Sequence, residues 1–520
     1  MTFAQWLRSR FAPRPAPSRS RPPARRPRLE ALEGRLTPST GGLLDPTFGN
    51  GGVVSTAPLT GPRLHTRGGA GAVQPDGKVV VVGSTYNEAS LNTGYIDLVR
   101  YNANGALDTG FGSGGVVTTK FGSRVTATGV ALDPTTGKIV VVGEQSGAIH
   151  LVRYNTNGTV DKTFGGKGDV LVSFPQGKVG VGAIVVEPVG GVPKFLVLAV
   201  AGNLGYDTAW AMARFNLDGT LDTSFGTGGR LIDDLSPAIP GNYDAIGGVA
   251  FRPDGTILAV GTAMTALQTP TGVDYGPELV LAHYDTAGRR DQAFGSGGTA
   301  TILAGTYSTG ASIALRPDGK IVVGGDAWNG GPPPDALLAR FNADGSLDNT
   351  FAGGGYFTTH LDDPSSYDHF YSVALQNDGS IVAGAFTSLS GPMLLRYHED
   401  GAPDANFGSG GRVALPFFNG VILQADGEIV VTGSVNNNLE AARYLASAPQ
   451  VSSFTASPAS APAGADVTLA AGVLPGNPGP LGAVTRWPST PTATTTACST
   501  RRWTRCWATP ATTPAPASGS

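Results

Sequence analysis

The sequence predicts an all-β protein, a seven-bladed β-propeller with four antiparallel strands in each blade. Three observations lead to this prediction: the glycine content, a set of blocks repeated seven times, and short β-branched runs between the repeated turns. Glycine accounts for 76 of 520 residues, about twice the usual fraction, whereas charged residues make up only 14 %. This composition favours tight turns over long helices, because glycine adopts positive φ without steric cost.

Internal repetition is the strongest signal in the chain. The first block reads Leu-Asp-Pro-Thr-Phe-Gly-Asn-Gly-Gly at residues 44–52, and its phenylalanine recurs as Phe48, Phe111, Phe164, Phe225, Phe294, Phe351 and Phe407. The second is a glycine turn, commonly Pro-Asp-Gly, that ends at Gly77, Gly137, Gly191, Gly255, Gly319, Gly379 and Gly427. The third resembles Arg-Tyr-Asn and contains Tyr101, Tyr154, Phe215, Tyr284, Phe341, Tyr397 and Tyr444. Seven copies indicate seven structural units.

Each unit is predicted to form four short strands. In the second unit these are residues 130–132, 138–143, 150–154 and 169–174. The first two flank the turn that ends at Gly137, and β-branched runs around a glycine turn are typical of a hairpin. Four antiparallel strands repeated radially make a propeller blade.

The ends of the array are complementary. The first unit enters at its fourth strand, residues 52–56, whereas the last unit supplies three strands and lacks the fourth. The N-terminal strand can therefore complete the last blade and leave no open sheet edge. An open solenoid is the alternative.

Charge and composition divide the chain into four segments. Residues 1–40 form a disordered Arg/Pro-rich segment of targeting type, and residues 41–448 the propeller. Residues 449–478 read as the truncated start of an immunoglobulin-like module, and residues 479–520 as a disordered low-complexity tail. The tail lacks Asp, Glu and Lys; we attribute it to an out-of-frame reading of sequence that once encoded the rest of the module.

Several classes of partner and site are disfavoured. Nine arginines make residues 1–36 basic, but the net charge of −3 leaves the repeat region strongly acidic, which argues against nucleic acid. No apolar run is long enough to span a membrane. Cys498 and Cys506 lie in the tail, so the propeller has no disulfide framework. We expect no cofactor and a monomeric protein.

The repeated blocks resemble the delta-60 repeat family of bacterial proteins over residues 44–447. The unit also resembles that of NHL-type propellers, which implies that the Val-Ala-Leu strand is innermost and the Gly-Val-Val strand outermost. The resemblance implies a propeller with a surface or secreted role and carries no biochemical activity with it.

An N-terminal segment, Leu29 to Ser39, resembles a Leu-Glu-x-Leu-Glu-x-Arg-x-x-Pro-Ser motif that opens many exported bacterial proteins. No ordinary signal peptide precedes it, because Gln5, Arg8 and Arg10 interrupt any apolar stretch. The resemblance implies export to the cell envelope or the extracellular space. A short amphipathic helix is the alternative.

Function is expected on one face of the propeller. The fourth-to-first strand loops and the second-to-third hairpins share what we call the variable face, because they differ between copies. The repeated turns and Phe-Gly blocks share the opposite face, which we call the repeat face. Loops on a rigid scaffold commonly carry binding residues, and the repeated Phe, Tyr and Arg residues are expected to be structural.

Two loops of the variable face resemble each other and supply the candidate binding residues. These residues are Asp233, Asp234, Tyr243, Asp244, His360, Asp362, Asp363, Tyr367, Asp368 and His369. Carboxylates from a flexible loop suit calcium, and added histidine suits zinc or another transition metal. Neither spacing matches an EF-hand, and solvated acidic loops without a metal are the alternative.

The sequence therefore predicts a non-enzymatic, exported or cell-surface propeller that binds a protein or a glycan through its variable face. One alternative is a lyase or hydrolase of the propeller type, with acidic and histidine residues at the channel mouth. In that case His360 and Asp363 would meet a carboxylate of another blade. Another alternative is a structural envelope or adhesin module.

Overall fold

A computed structural model describes residues 41–88, 90–187, 192–202, 207–239, 242–269, 272–328, 330, 333–446, 450–457 and 468–474. The predictions about residues 1–40 and 479–520 lie outside these described residues. The described chain consists of β-strands joined by turns, with a single 3-10 turn at Phe164–Gly166. No described helix has the length and apolar character of a membrane span.

Seven four-stranded sheets make up the seven blades, as predicted. A first strand, β1 (Val53–Thr56), precedes the first complete blade. From the innermost strand outward, blade 1 contains β2 (Leu64–Val73), β3 (Val79–Asn87), β4 (Ser90–Tyr101) and β5 (Val116–Phe121); blade 2 contains β6 (Val125–Leu132), β7 (Ile139–Gln145), β8 (Ala148–Tyr154) and β9 (Asp169–Val172); blade 3 contains β10 (Lys178–Glu187), β11 (Lys194–Gly202), β12 (Thr208–Phe215) and β13 (Arg230–Asp233). Blade 4 contains β14 (Ala245–Phe251), β15 (Ile257–Thr269), β16 (Gly272–Tyr284) and β17 (Thr299–Ile302); blade 5 contains β18 (Tyr307–Leu315), β19 (Ile321–Trp328), β20 (Asp335–Phe341) and β21 (Tyr356–Thr359); blade 6 contains β22 (Asp368–Leu375), β23 (Ile381–Thr387), β24 (Gly391–Tyr397) and β25 (Arg412–Ala414); blade 7 contains β26 (Gly420–Leu423), β27 (Ile429–Val435), β28 (Asn438–Tyr444) and β1.

The N-terminal strand closes the ring. Strand β1 pairs antiparallel with β28, with Val53 opposite Ala442 and Thr56 opposite Leu439. The innermost strands of successive blades contact one another, and β2 of the first blade contacts β26 of the last. The ring is closed, so the predicted closure is confirmed and the open solenoid is wrong.

The hydrophobic core is divided among the junctions between blades. In the described residues, seven clusters of buried apolar side chains each combine residues of two neighbouring blades. Val140 and Phe164 of blade 2, for example, are fully buried in one cluster with Phe195 and Val197 of blade 3. Because a buried Phe or Val contributes about 1.5 to 3 kcal/mol each, these junctions hold the blades in their ring.

A β-bulge recurs in the innermost strand of blades 1 to 6. At the same point of each strand, one residue is skipped in the pairing with the second strand. The skipped residues are Gly69, Thr128, Gly182, Gly247, Ala311 and Tyr371. A bulge bends the strand and changes the direction of a side chain. Tyr371 is the largest residue in the set.

The repeat face carries a structural network with arginine at its centre. In six blades the arginine of the third strand donates from Nε to an aspartate of the Phe-Gly block, with N–O distances of 2.6 to 2.9 Å. The same guanidinium lies 4.2 to 4.9 Å from the ring centre of the block phenylalanine. The pairs are Arg100 with Asp108, Arg153 with Asp161, Arg214 with Asp222, Arg340 with Asp348, Arg396 with Asp404 and Arg443 with Asp45.

Each of these arginines also joins its blade to the next one. Arg100 donates from Nη1 to the carbonyl oxygen of Thr156, at 2.6 Å, and the other five make the equivalent bond. In blade 4, His283 stands in place of the arginine, and its Nδ1 lies 2.9 Å from Oδ2 of Asp291. Arg252 from the neighbouring hairpin then lies 5.7 Å from the Phe294 ring centre and donates to the carbonyl of Ala343 in blade 5. The repeated residues are therefore structural.

A separate hairpin follows the propeller. Strands β29 (Gln450–Ser457) and β30 (Thr468–Leu474) pair antiparallel. They cover the residues in which the sequence indicated the first strands of an immunoglobulin-like module. The assignment to that module stays a prediction.

Candidate functional site

Two grooves of 530 Å³ each lie between blades, but both belong to the repeat. The groove between blades 5 and 6 is lined by Phe357, Tyr397 and Gly401 among others. The groove between blades 4 and 5 is lined by the equivalent Ala300, Phe341 and Gly345. Because the same gap recurs at two junctions, we attribute it to the geometry of the repeat. Neither groove is specific to one position in the ring.

The first predicted loop, before blade 4, is held by its own carboxylates. Buried Asp244 accepts hydrogen bonds from Leu235 N at 2.8 Å and Ser236 Oγ at 2.7 Å, and burial raises its pKa. Asp234 accepts from Ser236 N and from the Asn242 side chain, both at 3.0 Å. These bonds fix the loop.

The remaining two residues predicted in this loop are not brought together. Asp233 lies between blades, where it accepts a hydrogen bond at 2.6 Å from the hydroxyl of Tyr284 and pairs with Arg290. The Tyr243 side chain is 53 % exposed. The described residues of the loop before blade 4 therefore supply one exposed ring and no cluster of functional groups.

The second predicted loop, before blade 6, repeats the same clamp. Asp368 accepts from Leu361 N and Ser366 Oγ, each at 2.8 Å. Asp363 accepts from Ser365 within the loop, and Asp362 accepts from Thr387 Oγ1. Each predicted carboxylate of this loop therefore has a local hydrogen-bond partner, and Asp362 and Asp363 are exposed.

A group of two aspartates and a histidine forms at the junction of blades 5 and 6. Its members, Asp335, His360 and Asp368, bring one oxygen or nitrogen each within 4.8 Å of one another. His360 Nδ1 contacts Asp335 Oδ1, and burial raises the pKa of both aspartates. We call these residues the His360 group. They have the donor types that divalent cations bind, and the prediction of calcium or a transition metal stays open here.

The histidine next in the chain to Asp368 belongs to a different cluster. His369 Nδ1 lies 2.9 Å from Oδ1 of Asp326 on blade 5, and Thr309 Oγ1 donates to the same oxygen. Asp326 is 2 % exposed and His369 is 7 % exposed. Nε2 of His369 is shielded from solvent and has no hydrogen-bond partner among the described residues. A buried polar atom of this kind is uncommon in a folded protein.

Aromatic rings surround this aspartate and histidine pair. The Tyr371 ring centre lies 4.1 Å from that of His369. The Tyr367 ring also stacks on His369, with ring centres 6.3 Å apart and an interplanar angle of 11°. Tyr307 and Trp328 of blade 5 lie 5.3 Å apart. We call Asp326, His369, Tyr307, Trp328, Tyr367 and Tyr371 the tyrosine cluster. Tyr371 sits on the β-bulge of β22, and its side chain is 48 % exposed.

The tyrosines of the cluster stay protonated at neutral pH. Burial, together with the negative charge of Asp326, raises the pKa values of Tyr307, Tyr367 and Tyr371. Each hydroxyl can therefore donate one hydrogen bond as well as accept one. The cluster offers flat apolar rings next to hydroxyl, imidazole and carboxylate groups on the variable face.

The sequence predicted only part of this site. It named Tyr367, Asp368, His369 and His360, because they lie in one acidic loop. It missed Asp326, Trp328 and Asp335, which belong to the blade 5 hairpin, and Tyr307 and Tyr371, which lie in innermost strands. The signal that could have found Asp326 is a carboxylate inside the otherwise apolar run Ile-Val-Val-Gly-Gly-Asp at residues 321–326.

Tyr86 is a second aromatic residue on the variable face, but its ring is already covered by other side chains. Tyr86 of blade 1 has the guanidinium of Arg124 at 4.7 Å and that of Arg67 at 5.5 Å from its ring centre. Its ring also stacks with His65 at 5.6 Å. Since its ring already has these three partners, Tyr86 is a structural counterpart to the tyrosine cluster.

The chain is similar to several solved structures. The β-propeller domain of Cps50 (Swd1) from Myceliophteria thermophila is 10 % identical, covers 75 % of this chain and 98 % of its own, and has a TM-score of 0.42. A protein of unknown function from Dyadobacter fermentans is 12 % identical over 76 % of this chain and 98 % of its own, with a TM-score of 0.37. The α-L-arabinanase of Penicillium chrysogenum is 12 % identical over 75 % of this chain and 97 % of its own, with a TM-score of 0.39. No curated protein matches the sequence.

Sequence comparison relates five of the seven repeats to one family. The family is described as "Domain of unknown function (DUF5122) beta-propeller", and it matches residues 74–111, 135–164, 197–225, 316–351 and 376–407. Every matched segment ends at a block phenylalanine, after the second and third strands of its blade. The family of delta-60 repeats and the sorting segment stay resemblances. The repeats of this chain are thus similar to those of a β-propeller family of unknown function.

Proposed function

We propose that the protein is a non-enzymatic, exported β-propeller that binds a glycan through the tyrosine cluster on its variable face. The observation that carries the proposal is Tyr371, a half-exposed ring on a bulge, packed 4.1 Å from a histidine whose Nε2 has no partner in the described structure. A ring that only filled the core would be buried, and a purely structural histidine would have both nitrogens satisfied.

The chemistry of the cluster matches a sugar unit. A pyranose presents an apolar C–H face, which aromatic rings cover, and a rim of hydroxyls, which need hydrogen-bond partners. Ligand sites typically combine aromatic walls with a few placed polar groups. Here four rings lie next to one carboxylate and one imidazole.

The imidazole supplies a specific hydrogen bond. The carboxylate of Asp326 next to Nδ1 favours the tautomer with the proton on Nδ1, which leaves a lone pair on Nε2. A hydroxyl hydrogen can be donated to that lone pair, once the Tyr371 ring moves to admit the ligand. Since Asp326 already orients the imidazole, the reorganisation is confined to the Tyr371 ring.

A glycan is preferred over a protein partner because of the size of the cluster. A stable protein interface buries about 800 Å² on each partner, which exceeds what a handful of half-buried rings can supply. Export rests on the N-terminal segment at residues 29–39, which resembles the opening of exported proteins. Fractionation of the source cells tests it: the protein should be found outside the cytoplasm.

The binding proposal is tested on the full chain with a panel of oligosaccharides immobilised on a surface, followed by calorimetry. Tyr371→Ala should lose at least about fivefold in affinity, because the ring supplies stacking that is worth about 1 kcal/mol or more. Tyr86→Ala is the matched control, an aromatic residue of the same face whose ring is already covered, and it should bind as the wild type does.

Three outcomes contradict the proposal. Equal affinity of wild type and Tyr371→Ala would place the glycan elsewhere. Binding of no glycan, with a protein partner captured instead and lost on Tyr371→Ala, would change the class of ligand. Shortened products after incubation with the oligosaccharide would show the lyase or hydrolase activity that the sequence left as an alternative.

A further inference from the structure

Cations without a partner are concentrated on one side of the variable face. Five exposed lysines and arginines lie at or beside the loops that lead into the innermost strands of blades 1, 2 and 3. We call them the basic patch; they are Arg63, Arg67, Lys120, Arg124 and Lys178. Among the described residues, none of the five forms an ion pair. The basic patch is therefore a positively charged area on a repeat region that is acidic as a whole.

The lysines at the start of the second strands, on the repeat face, are neutralised instead. Lys138 Nζ lies 2.9 Å from Oδ2 of Asp161, and Lys320 Nζ lies 2.8 Å from Oδ2 of Asp348. The equivalent lysines of blades 1 and 3 also reach their block aspartates, at 3.9 and 3.6 Å. Where a lysine has a structural role in this scaffold, it thus has a carboxylate partner, which the basic patch lacks.

Two arginines of the basic patch are held by one aromatic ring. The guanidinium carbon atoms of Arg67 and Arg124 lie 5.5 and 4.7 Å from the ring centre of Tyr86. Because both distances are measured from the same ring, the two guanidinium groups lie close together, although they belong to neighbouring blades. Neither has a hydrogen-bond partner in the part of the chain that the structure describes. Attraction to the ring holds each guanidinium in place and leaves its N–H groups free to donate.

The acidic side chains next to the basic patch have other contacts. Glu88 Oε1 lies 3.1 Å from Nε2 of His65, and Glu144 Oε1 accepts a hydrogen bond of 3.0 Å from Gly147 N. Lys178 lies against the same hairpin of blade 2, since a Cβ on Gly147 would be 2.8 Å from its Cγ. The positive area therefore continues from the junction of blades 1 and 2 to that of blades 2 and 3.

We propose that the basic patch binds an acidic polysaccharide, whose carboxylate or sulfate groups accept hydrogen bonds from Arg67 and Arg124. Arginine binds planar anions of this kind through two parallel hydrogen bonds. The other three cations hold further charges along the chain. This site is separate from the tyrosine cluster, which lies across the ring at blades 5 and 6, and does not depend on it.

The rest of the variable face favours a narrow and flexible anion. Exposed Asp234, Asp362 and Asp363 lie in the loops before blades 4 and 6. A nucleic acid duplex or an anionic membrane that covered the whole face would meet these like charges. A polysaccharide chain, in contrast, can follow blades 1 to 3 alone.

The basic patch also lacks the apolar centre that protein interfaces have. Between residues 63 and 150, the only large apolar side chain that the structure describes as exposed is Leu107, which belongs to the repeat face. Charge without apolar anchors suits a hydroxyl-rich chain better than a folded protein.

The test measures binding of the full chain to oligosaccharides of equal length by calorimetry at low salt. One set consists of uronic acid units, a second carries sulfate esters and a third is uncharged. At least one acidic set should bind about tenfold or more tightly to the wild type than to the double variant Arg67→Gln/Arg124→Gln. Added salt should reduce this difference, because it screens exposed charges. The set that binds more tightly identifies the anionic group.

A double variant of the repeat face is the matched control. Lys162→Gln/Arg289→Gln removes the same two charges from exposed residues that likewise form no ion pair in the described chain, and it should bind as the wild type does. A thermal melt shows that both double variants are folded. Equal losses of affinity in the two would mean that only net charge matters, which overturns the site.

Other results would also overturn the proposal. Inorganic sulfate that displaces the oligosaccharides at an equal concentration of charge would show an adventitious ion only. A DNA duplex, anionic vesicles or an acidic peptide that bind more tightly than both acidic sets, and need Arg67 and Arg124, would change the class of partner. If neither acidic set binds, the inference falls. Binding of uncharged glycans at the tyrosine cluster, with its Tyr86→Ala control, is independent of these results, because it uses none of the five cations.

Discussion

Arg443, in the last blade, forms an ion pair with Asp45, which lies 398 residues earlier in the chain; Nε and Oδ2 are 2.7 Å apart. Burial opposes ionisation of Asp45, but hydrogen bonds from Thr47 and the charge of Arg443 outweigh it and hold its pKa below the usual value. Arg443 also contacts Glu428 at 2.8 Å and donates to the carbonyl of Ala103 in blade 1. One side chain thus connects the N-terminal segment, the last blade and the first.

Removal of this arginine should weaken the closure of the ring. Arg443→Ala leaves Asp45 and Glu428 without their buried cation, and the loss of one member of a buried pair costs about 3 to 5 kcal/mol. Chemical denaturation measures the change, and limited proteolysis should cut the variant near β1. Arg289→Ala, at an exposed arginine, is the control. If both variants unfold at the same denaturant concentration, Arg443 does not determine closure.

The exceptional blade 4 gives a second prediction. Arg252→Ala should destabilise the protein by about 1 to 2 kcal/mol, because Arg252 supplies the bond to Ala343 that a third-strand arginine supplies elsewhere. Arg316→Ala changes the equivalent residue of blade 5, where Arg340 is present. Arg316 pairs with Asp318 and Glu399, and because both carboxylates are exposed, these pairs are worth under about 0.5 kcal/mol. Thermal melts compare the two, and equal effects would contradict a special role of Arg252.

A rescue tests the same idea in reverse. Combining His283→Arg with Arg252→Ala should restore most of the lost stability, because it recreates the arrangement of the other six blades. The readout is again the unfolding transition. A double variant less stable than Arg252→Ala alone would show that blade 4 has adapted to histidine.

A buried carboxylate in blade 1 predicts a dependence of stability on pH. Asp97 is fully buried and accepts from Thr85 Oγ1 at 2.6 Å, and its Oδ1 has no hydrogen-bond partner in the described part of the chain. Burial raises its pKa to about 6. Between about pH 4 and pH 6 the folded state keeps this carboxyl group protonated, whereas the unfolded state releases the proton. The contribution of the protonated carboxyl group to folding stability is therefore present below about pH 4 and is lost as pH rises through about 6.

Asp97→Asn should remove that dependence. At pH 8 the variant should be more stable than the wild type by about 2 to 3 kcal/mol, because it buries no charge. At pH 4 the two should be alike. Urea unfolding at both values gives the comparison, with the exposed Asp76→Asn as the control. If the wild type is at least as stable as Asp97→Asn at pH 8, the assignment is refuted.

The bulges of the innermost strands differ in how much space they leave. A Cβ on Gly69 would lie 2.3 Å from the carbonyl carbon of Gly433, and its φ of +118° disfavours any side chain. A Cβ on Gly182 would have 3.6 Å to its nearest neighbour, Leu198 O. Gly69→Ala should therefore cost about 1 to 3 kcal/mol, and Gly182→Ala under about 0.5 kcal/mol. Comparable melting temperatures would contradict this account.

The fold could be predicted because its determinants repeat within the chain. Seven copies of the block phenylalanine, the glycine turn and the third-strand aromatic residue gave seven comparisons inside a single sequence. Each copy also obeys local rules of hairpin formation. The missing fourth strand of the last unit and the isolated first strand then identified the closure, which the pairing of Val53 with Ala442 confirms.

The candidate site could be predicted only where it is contiguous in the chain. His360, Tyr367 and Asp368 share a loop, so their composition was visible. Asp326 and His369 are 43 residues apart and meet only because neighbouring blades pack. Asp233 was placed with the loop, but its side chain reaches Tyr284 of the next blade instead. Positions that vary between copies offer no internal comparison, and contacts across blades are not encoded in local pattern.

The bulge in β22 has a consequence for how such a protein can change its ligand. A residue skipped by the pairing of strands contributes little to the ladder that surrounds it, so its side chain can be exchanged where the neighbouring strands leave room, as at Gly182 but not at Gly69. In blades 2 to 6 that position holds threonine, glycine, glycine, alanine and tyrosine in turn. If the proposed binding holds, the side chain at such a position can change without disturbing the arginine network, which lies on the opposite face.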